Sequence, residues 1–204
     1  CSNYSRKKIG KMIGNDIIDL SLAAIQSNWQ RAGFLEKQFT KKEREYILNA
    51  ADSFLQVWLF WSMKEAAYKC YTQQYQKRFF APQKFECSMV SKTKGIVVFK
   101  GIEFLTTTYF NTLYCHTIAK KSKERAVIFS SIGLPKTIDY DIKQEVQTLT
   151  GVLAAEILQK KSCIGAPLYY YKEERITNAC SISHHGNFGA FAFTLHNEYE
   201  RNNI

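Results

Sequence analysis

The first 33 residues carry a strand pattern followed by a helix pattern. The segment KMIGNDIIDL (11–20) is a dense apolar run, which predicts a β-strand. Asp19 or Ser21 can cap the helix predicted next. Gly33 would end that helix, because glycine readily adopts the left-handed conformation found at helix C-termini. A strand followed directly by a helix is therefore expected at this end of the fold.

Two more helices are predicted before residue 80. Thr40 and Glu43 have the spacing of a capping box, so a helix should begin in FTKKEREYILNA. The segment 52–75 lacks Gly and Pro and is dense in helix-forming residues, which predicts one long helix. Pro82 prevents its continuation, because proline lacks a backbone N–H donor.

The remaining segments alternate between strand-like and helical patterns. Residues rich in Val, Ile, Thr and aromatics predict strands at about 85–91, 95–105 and 111–119, with SKERAVIF as a possible fourth. After a junction at Gly133 and Pro135, the segment 139–161 predicts an amphipathic helix whose apolar face comprises Ile142, Val146, Leu149, Leu153 and Ile157. Three strand-like runs follow: APLYYYKE, NACSISH and GAFAFTLH.

These elements predict an α+β fold of two small halves, with antiparallel strands packed on helices. The first half is expected at 12–134 and the second at 135–204, meeting at one active site. Residues 1–11 are interpreted as an N-terminal extension, with Met12 as the natural start.

Composition narrows the classes of function. The chain has 46% hydrophobic residues and no apolar run of the roughly 18 residues that a membrane helix needs, so a globular, soluble, cytoplasmic protein is expected, with no membrane association. Its six cysteines show no CxxC spacing, which disfavours a zinc site. A net charge of +10 favours an acidic partner, although charge alone does not choose among nucleic acid, lipid, polyphosphate and protein.

Charged residues interrupt the apolar face of the predicted long helix. Glu65 and Lys69 are four residues apart, on a face shared with Trp58 and Trp61. One interpretation is an ordinary surface ion pair. The alternative, which the apolar surroundings favour, is a carboxylate that binds a cation, because an unpaired buried carboxylate is costly.

A second candidate acid lies in the first strand. Asp16 is inside the apolar run and cannot cap a helix, whereas Asp19 points to the opposite face and fits a cap. One acid from a strand and one from a helix form a suitable site for Mg²⁺, which takes one or two carboxylates and completes its shell with water and phosphate oxygens.

Four segments together resemble the signatures of the 4'-phosphopantetheinyl transferase superfamily: IGNDIIDL, FTKKE, WSMKEAAYK and SISHHGNFGAFAF. The spacing of 48 residues from Asp16 to Lys64 agrees with that family pattern. The resemblance implies Mg²⁺-dependent transfer of 4'-phosphopantetheine from coenzyme A to a serine of an acyl or peptidyl carrier protein, releasing adenosine 3',5'-bisphosphate. Such carrier proteins serve fatty-acid or secondary-metabolite synthesis.

The resemblance also implies roles for residues of the helix motif. Asp16 and Glu65 would bind the metal, and Lys69 would balance phosphate charge or take part in proton transfer from the serine. Lys64 would contact phosphate or brace the helix. Glu43 matches a glutamate suggested as general base, yet its capping-box position gives a complete structural explanation.

Residues outside that motif are expected to contact coenzyme A. Ser183 and His184 would reach its phosphates, with His185 pointing away on the surface. Arg78, in a basic segment, would bind phosphate or belong to a solvated loop. The motif order is that of the short trimeric branch of the family, whereas the length is closer to the larger branch, so both a monomer and a homotrimer remain open. Ile18 stands where the larger branch has another acid.

Two other functions compete with transfer. A basic, aromatic-rich chain could bind RNA, but no RNA-binding motif is present and Asp16 and Glu65 would repel its phosphates, so no nucleic acid is expected. A non-catalytic relative that binds coenzyme A or carrier protein is disfavoured by the presence of Asp16, Glu65 and Lys69.

Overall fold

A computed structural model describes residues 12–79 and 81–200. The expected extension at 1–11 lies outside the described residues. The helices are α1 (Leu20–Gln26), α2 (Phe34–Gln38), α3 (Lys41–Leu48), α4 (Ser53–Tyr75), α5 (Ile138–Thr150) and α6 (Asn197–Glu200). The strands are β1 (Ile13–Asp19), β2 (Glu86–Met89), β3 (Lys94–Phe99), β4 (Ile102–Phe110), β5 (Tyr114–Lys121), β6 (Phe129–Gly133), β7 (Ile157–Lys161), β8 (Pro167–Tyr171), β9 (Glu174–Arg175), β10 (Thr177–His185) and β11 (Phe188–Leu195).

The strands form three antiparallel sheets. The largest has five strands in the order β1-β5-β4-β3-β2, and α4 packs on it. The other two have the orders β10-β11-β6 and β7-β8-β9. The fold is α+β, as predicted, with antiparallel strands packed on helices. Among the described residues, no helix combines the length and apolar character needed to cross a bilayer.

Helix α4 matches its predicted extent. The Asp52 carboxylate caps it by accepting a hydrogen bond from the Leu55 backbone N–H at 2.9 Å. Gln76, in the left-handed conformation, ends it. Thirteen of its 23 residues are buried, so the helix runs through the core of the first half rather than along its surface. The predicted capping box of Thr40 and Glu43 is also confirmed at the start of α3.

Three predicted boundaries were wrong, each at a residue with positive φ. Gly33 (φ 78°) precedes α2 instead of ending the first helix, which stops at Gln26. The strand predicted at 95–105 is two strands, since the chain turns at Lys100 and Gly101 with φ of 51° and 72°. The helix predicted over 139–161 ends at Thr150, because Gly151 (φ 75°) terminates it and β7 follows.

The division of the chain into halves at 134/135 stays a prediction. The pairing of strand β6 is relevant to it. β6 lies before that boundary in sequence, yet it pairs with β11, from Gly133 opposite Gly189 to Phe129 opposite Phe193. The second sheet therefore takes one strand from the expected first half, and the expected halves share a sheet.

β1 holds the two large parts of the fold together. The Asn15 backbone N–H donates to Ser181 Oγ of β10 at 2.9 Å. From α4, the Gln73 amide donates to the carbonyls of Ile13 and Cys180 at 3.0 and 3.1 Å. Gly14 lies so close to α4 that an added Cβ would stand 2.6 Å from the Cys70 backbone nitrogen. Strand, helix and second sheet thus meet around the start of β1.

Candidate active site at the contact of α4 and β1

Asp16 of β1 and Lys69 of α4, both predicted site residues, are in direct contact. Lys69 Nζ donates to Asp16 Oδ1 at 3.0 Å and to the Asn15 carbonyl at 2.9 Å. The Asp16 side chain is 13% exposed and the Lys69 side chain 28% exposed, so the pair lies at the edge of the core but remains accessible. The Ser62 hydroxyl donates to the Asp16 carbonyl at 3.3 Å and helps to seat β1 on the helix.

Burial and neighbouring charges shift the pKa values of both candidate metal ligands, Asp16 and Glu65. Burial raises the pKa of Asp16, although the ammonium of Lys69 opposes this. Burial and the nearby charge of Asp16 raise the pKa of Glu65 to about 7, again against the effect of Lys69. Because burial and the charge of Asp16 both oppose ionisation of Glu65, a cation bound beside the two carboxylates would stabilise their charged forms.

The two carboxylates suit a hard divalent cation whose remaining ligands are water and phosphate oxygens. The described residues contain no group of three or more His, Cys, Asp or Glu side chains arranged to hold a metal. Two carboxylates are nevertheless what Mg²⁺ uses when water and phosphate oxygens complete its shell. Asp16 and Glu65 therefore suit Mg²⁺ that binds together with a phosphate ligand.

Lys64 and Glu43 form a buried ion pair instead of facing solvent. Lys64 Nζ donates to both carboxylate oxygens of Glu43 at 2.8 Å, and to the carbonyls of Pro82 and Phe85 at 3.1 and 2.5 Å. Each side chain is 2% exposed. Glu43 also accepts from the backbone N–H groups of Thr40 and Cys87 at 2.8 and 2.6 Å. These contacts support the bracing role for Lys64 and the structural role for Glu43.

The end of β10 places its two histidines differently from the prediction. His184 is exposed, while Ser183 is buried and its hydroxyl has no hydrogen-bond partner among the described residues. His185 lies on the opposite face of the strand from His184, as expected, but the expected surface position is wrong. It is half-buried, and its Nδ1 accepts from the Asp19 backbone N–H at 2.9 Å. Side chains alternate along a strand, so Ser183 and His185 share the face that meets β1.

Asp19 has the structural role that its position predicted. Its carboxylate accepts from the Leu22 backbone N–H at 3.0 Å, capping α1, and from the Asn187 N–H at 3.1 Å. Burial alone would raise the pKa of Asp19, but these N–H donors lower it below its ordinary value. Asp19 thus fastens the β10–β11 turn to β1 and is not paired with Asp16 in function.

Arg78 and Lys69 line the same cleft. The Arg78 guanidinium donates from Nε to the Ile164 carbonyl at 3.0 Å, and Nη2 contacts the same oxygen. We call this space the α4–β10 cleft; it has a volume of about 300 Å³ and is lined by Tyr68, Lys69, Thr72, Gln73, Arg78, Ile164, Gly165, Ala166, Pro167, Cys180, Ser181 and Ile182. The structure thus brings Lys69 and Arg78 to one cleft between α4 and β10.

A second cavity lies beside Glu65. We call it the aromatic pocket; it has a volume of about 280 Å³ and is lined by Lys64, Glu65, Tyr68, Phe79, Ala81, Pro82 and Phe85. Tyr68 lines both cavities, and the sequence reasoning did not select it. A signal was present, because Tyr68 follows Glu65 by three residues and so lies on the same face of α4.

Comparisons with known proteins identify the family of this chain. The family model described as the 4'-phosphopantetheinyl transferase superfamily matches residues 12–128, a range that contains Asp16, Glu65 and Lys69. Solved structures that match include the crystal structure of Thermotoga maritima holo-[acyl-carrier-protein] synthase, at 12% identity, with 80% of this chain and 83% of that chain covered and a TM-score of 0.43. No curated protein matches the chain. Since the family model spans more than half of the sequence, this chain belongs to the 4'-phosphopantetheinyl transferase superfamily.

Proposed function

We propose that the protein transfers 4'-phosphopantetheine from coenzyme A to a serine of an acyl or peptidyl carrier protein, in a Mg²⁺-dependent reaction of the holo-acyl-carrier-protein synthase type. The observation that carries this proposal is the contact of Lys69 with Asp16, beside a Glu65 whose pKa is raised to about 7. A cation and two perturbed carboxylates at the edge of a cleft are suited to a diphosphate and its metal.

The reaction exchanges one phosphorus–oxygen bond for another. The serine oxygen forms a bond to the phosphorus that carries pantetheine, and the bond from this phosphorus to the bridging oxygen of the diphosphate breaks. The bridging oxygen leaves with the electron pair as part of adenosine 3',5'-bisphosphate, and the serine proton is released to solvent. Phosphoryl transfer of this kind is catalysed mainly by positioning and by neutralising negative charge.

The chain's own residues supply both the positioning and the neutralisation of charge. Asp16 and Glu65 would hold Mg²⁺, which when bound neutralises charge on the diphosphate oxygens. Lys69 is fixed at the carbonyl of Asn15 and within 3.0 Å of Asp16, so its ammonium is positioned at the edge of the same group of charges. Arg78 adds a second cation to the lining of the α4–β10 cleft, where it can bind an anionic part of coenzyme A.

Other predicted site residues contribute in different ways. His184 is exposed and remains a candidate phosphate contact, whereas Ser183, with its unpartnered hydroxyl, lies on the opposite, buried face of β10. Glu43 and Lys64 support α4 from within the core, and the geometry therefore favours a structural role over general base catalysis for Glu43. The net charge of +10 suits an acidic carrier protein.

The test is the intact mass of an apo carrier protein after incubation with the protein, coenzyme A and Mg²⁺. We expect a gain of one phosphopantetheine with the unaltered protein, and no gain with Glu65→Gln or Asp16→Asn. Glu45→Gln is the matched control, because Glu45 is an exposed glutamate whose ion-pair partner among the described residues is Lys41, on the surface of α3.

The same assay separates the alternatives. Mg²⁺-dependent binding of coenzyme A without mass gain on several carriers would favour a non-catalytic relative. Binding to RNA that is unaffected by Glu65→Gln, with no binding to coenzyme A, would favour a nucleic-acid-binding protein.

A further inference from the structure

The strand that carries Asp16, β1, is an edge strand of the five-stranded sheet. It pairs with β5 along one edge, so alternate backbone N–H groups on its other edge need a different partner. Side chains of β10 accept two of them. The Asn15 N–H donates to Ser181 Oγ and the Asp19 N–H donates to His185 Nδ1, each at 2.9 Å. Asp16 therefore lies between two points at which β10 holds the backbone of β1.

The hydrogen bond at Asp19 is one half of a reciprocal clamp. While His185 Nδ1 accepts from the Asp19 backbone N–H, the Asn187 backbone N–H donates to the Asp19 carboxylate at 3.1 Å. Gly186, with a φ of 56°, lies between the two residues of the turn, and a Cβ added to it would collide with the Asp19 carboxylate. The β10–β11 turn thus fits closely against the end of β1, and His185 is the side chain by which it holds the β1 backbone.

The His185 ring is also close to the candidate metal site. Burial raises the pKa of Asp16, whereas the Lys69 ammonium and, more weakly, a charge on His185 would lower it. The ring thus lies within electrostatic reach of Asp16, while its Nδ1 is engaged by the backbone three residues further along the same strand.

The position of Asp16 matters because a metal site depends on the contacts that orient its ligands. Loss of such outer contacts weakens metal binding even when the ligands themselves are intact. Movement at the end of β1 would change the placement of Asp16 relative to Glu65, which belongs to a different element, α4. We infer that His185 is a positioning residue of the transfer site: by accepting from the Asp19 N–H, it keeps Asp16 in place beside Glu65 for Mg²⁺. This inference rests on the proposed function.

Three substitutions of His185 separate this role from others. His185→Asn keeps an acceptor, because Asn Oδ1 is bonded to Cγ as His Nδ1 is. His185→Gln places its amide one bond further out, near the position of Nε2, and His185→Ala has neither group. His196→Ala is the matched control. His196 follows β11 at the end opposite to Phe188, the residue that pairs with His185.

Two measurements are needed for each variant. Titration calorimetry of Mg²⁺ into the protein with saturating coenzyme A gives the Mg²⁺ dissociation constant, and urea unfolding in EDTA gives the stability of the metal-free fold. We expect His185→Ala and His185→Gln to weaken Mg²⁺ binding by about tenfold, the lower end of the effect of losing an outer contact of a metal site. His185→Asn should restore most of the affinity, and His196→Ala should leave it unchanged. Transfer at limiting Mg²⁺ should follow the same order, with the KM for carrier protein unaltered.

The outcomes distinguish this inference from the proposed function. If the unaltered protein binds no Mg²⁺ with coenzyme A and transfers nothing, the proposed function fails and the inference fails with it. If it does both, and His185→Ala lowers the urea midpoint without changing the Mg²⁺ dissociation constant, His185 is merely structural and the inference alone is overturned. An active His185→Gln beside an impaired His185→Asn would also overturn it, because Nε2 would then act directly on the ligand.

Discussion

Replacing Lys64 by methionine should destabilise the protein strongly while leaving its chemistry intact. The substitution keeps most of the side-chain volume but removes the ammonium group that contacts both oxygens of Glu43. The Glu43 carboxylate, 2% exposed, would keep only its backbone N–H donors from Thr40 and Cys87. The carbonyls of Pro82 and Phe85 would lose their donor as well.

The expected loss in the free energy of unfolding follows from the buried Glu43 carboxylate that is left unpaired. Breaking a buried ion pair by removing one partner costs about 3–5 kcal/mol. With a urea dependence of about 3 kcal/mol per M, typical of the upper range for small proteins, the unfolding midpoint should fall by about 1–1.7 M. Glu43→Gln should cost a similar amount, because it leaves the Lys64 ammonium without its counter-ion.

Urea unfolding of both single variants and of the double variant Glu43→Gln/Lys64→Met measures the pair directly. The double variant buries no uncompensated charge, so its loss should be smaller than the sum of the single losses by at least about 1 kcal/mol. Lys41→Met is the control, because Lys41 meets Glu45 only at 4.0 Å on the surface, and should cost less than about 1 kcal/mol. Below its unfolding temperature, Glu43→Gln should retain transfer activity.

One result would refute this reasoning. If Glu43→Gln abolished transfer while its urea midpoint moved by less than about 0.3 M, corresponding to under about 1 kcal/mol, Glu43 would act in the reaction and not as a brace. The general-base role suggested by the family resemblance would then be the correct one.

Three further predictions concern the site and its surroundings. Because the pKa of Glu65 is raised to about 7 from an ordinary 4.5, the folded, metal-free protein keeps a proton that the unfolded chain loses. Its stability should therefore fall as pH rises from about 4.5 to about 7, and Glu65→Gln should reduce this slope in urea unfolding with EDTA. Gly14→Ala should cost about 1–3 kcal/mol and most of the activity, because the new Cβ would stand 2.6 Å from the Cys70 nitrogen and push β1, with Asp16, away from α4. Transfer at limiting carrier concentration should slow as salt is added, because the chain carries a net charge of +10.

Each of these has an outcome that contradicts it. A Glu65→Gln variant with an unchanged pH slope would mean that another group carries the proton. A stable and fully active Gly14→Ala variant would show that β1 and α4 can separate without cost. A transfer rate that does not depend on salt would argue against electrostatic docking of the carrier.

Helix boundaries that depend on residues close together in the chain could be predicted from the sequence. The extent of α4 follows from an unbroken run without Gly or Pro and from the Asp52 cap, and the capping box of Thr40 and Glu43 depends on residues three positions apart. The family resemblance likewise uses short motifs at fixed spacing. Both Lys69 and Asp16 belong to those motifs, but their contact was not predicted from the sequence.

Such patterns did not predict whether a given glycine precedes a helix or ends one. Gly33 and Gly151 both have positive φ, yet the first precedes a helix and the second ends one. A glycine permits the left-handed conformation, but packing of the neighbouring elements decides on which side the helix lies. Lys100 also adopts positive φ, which no sequence pattern indicated.

The long helix, and the positions of Asp16 in a strand and Glu65 in that helix, could therefore be predicted, because each depends on neighbours along the chain. Which charges are buried together and which face the cavities depends on how distant segments pack. Lys64 pairs with Glu43, which is 21 residues away in sequence, and His185 accepts a hydrogen bond from Asp19, which is 166 residues away. Contacts of this kind arise when distant segments pack against each other, and burial then determines whether a charged side chain braces the core or remains available to a ligand.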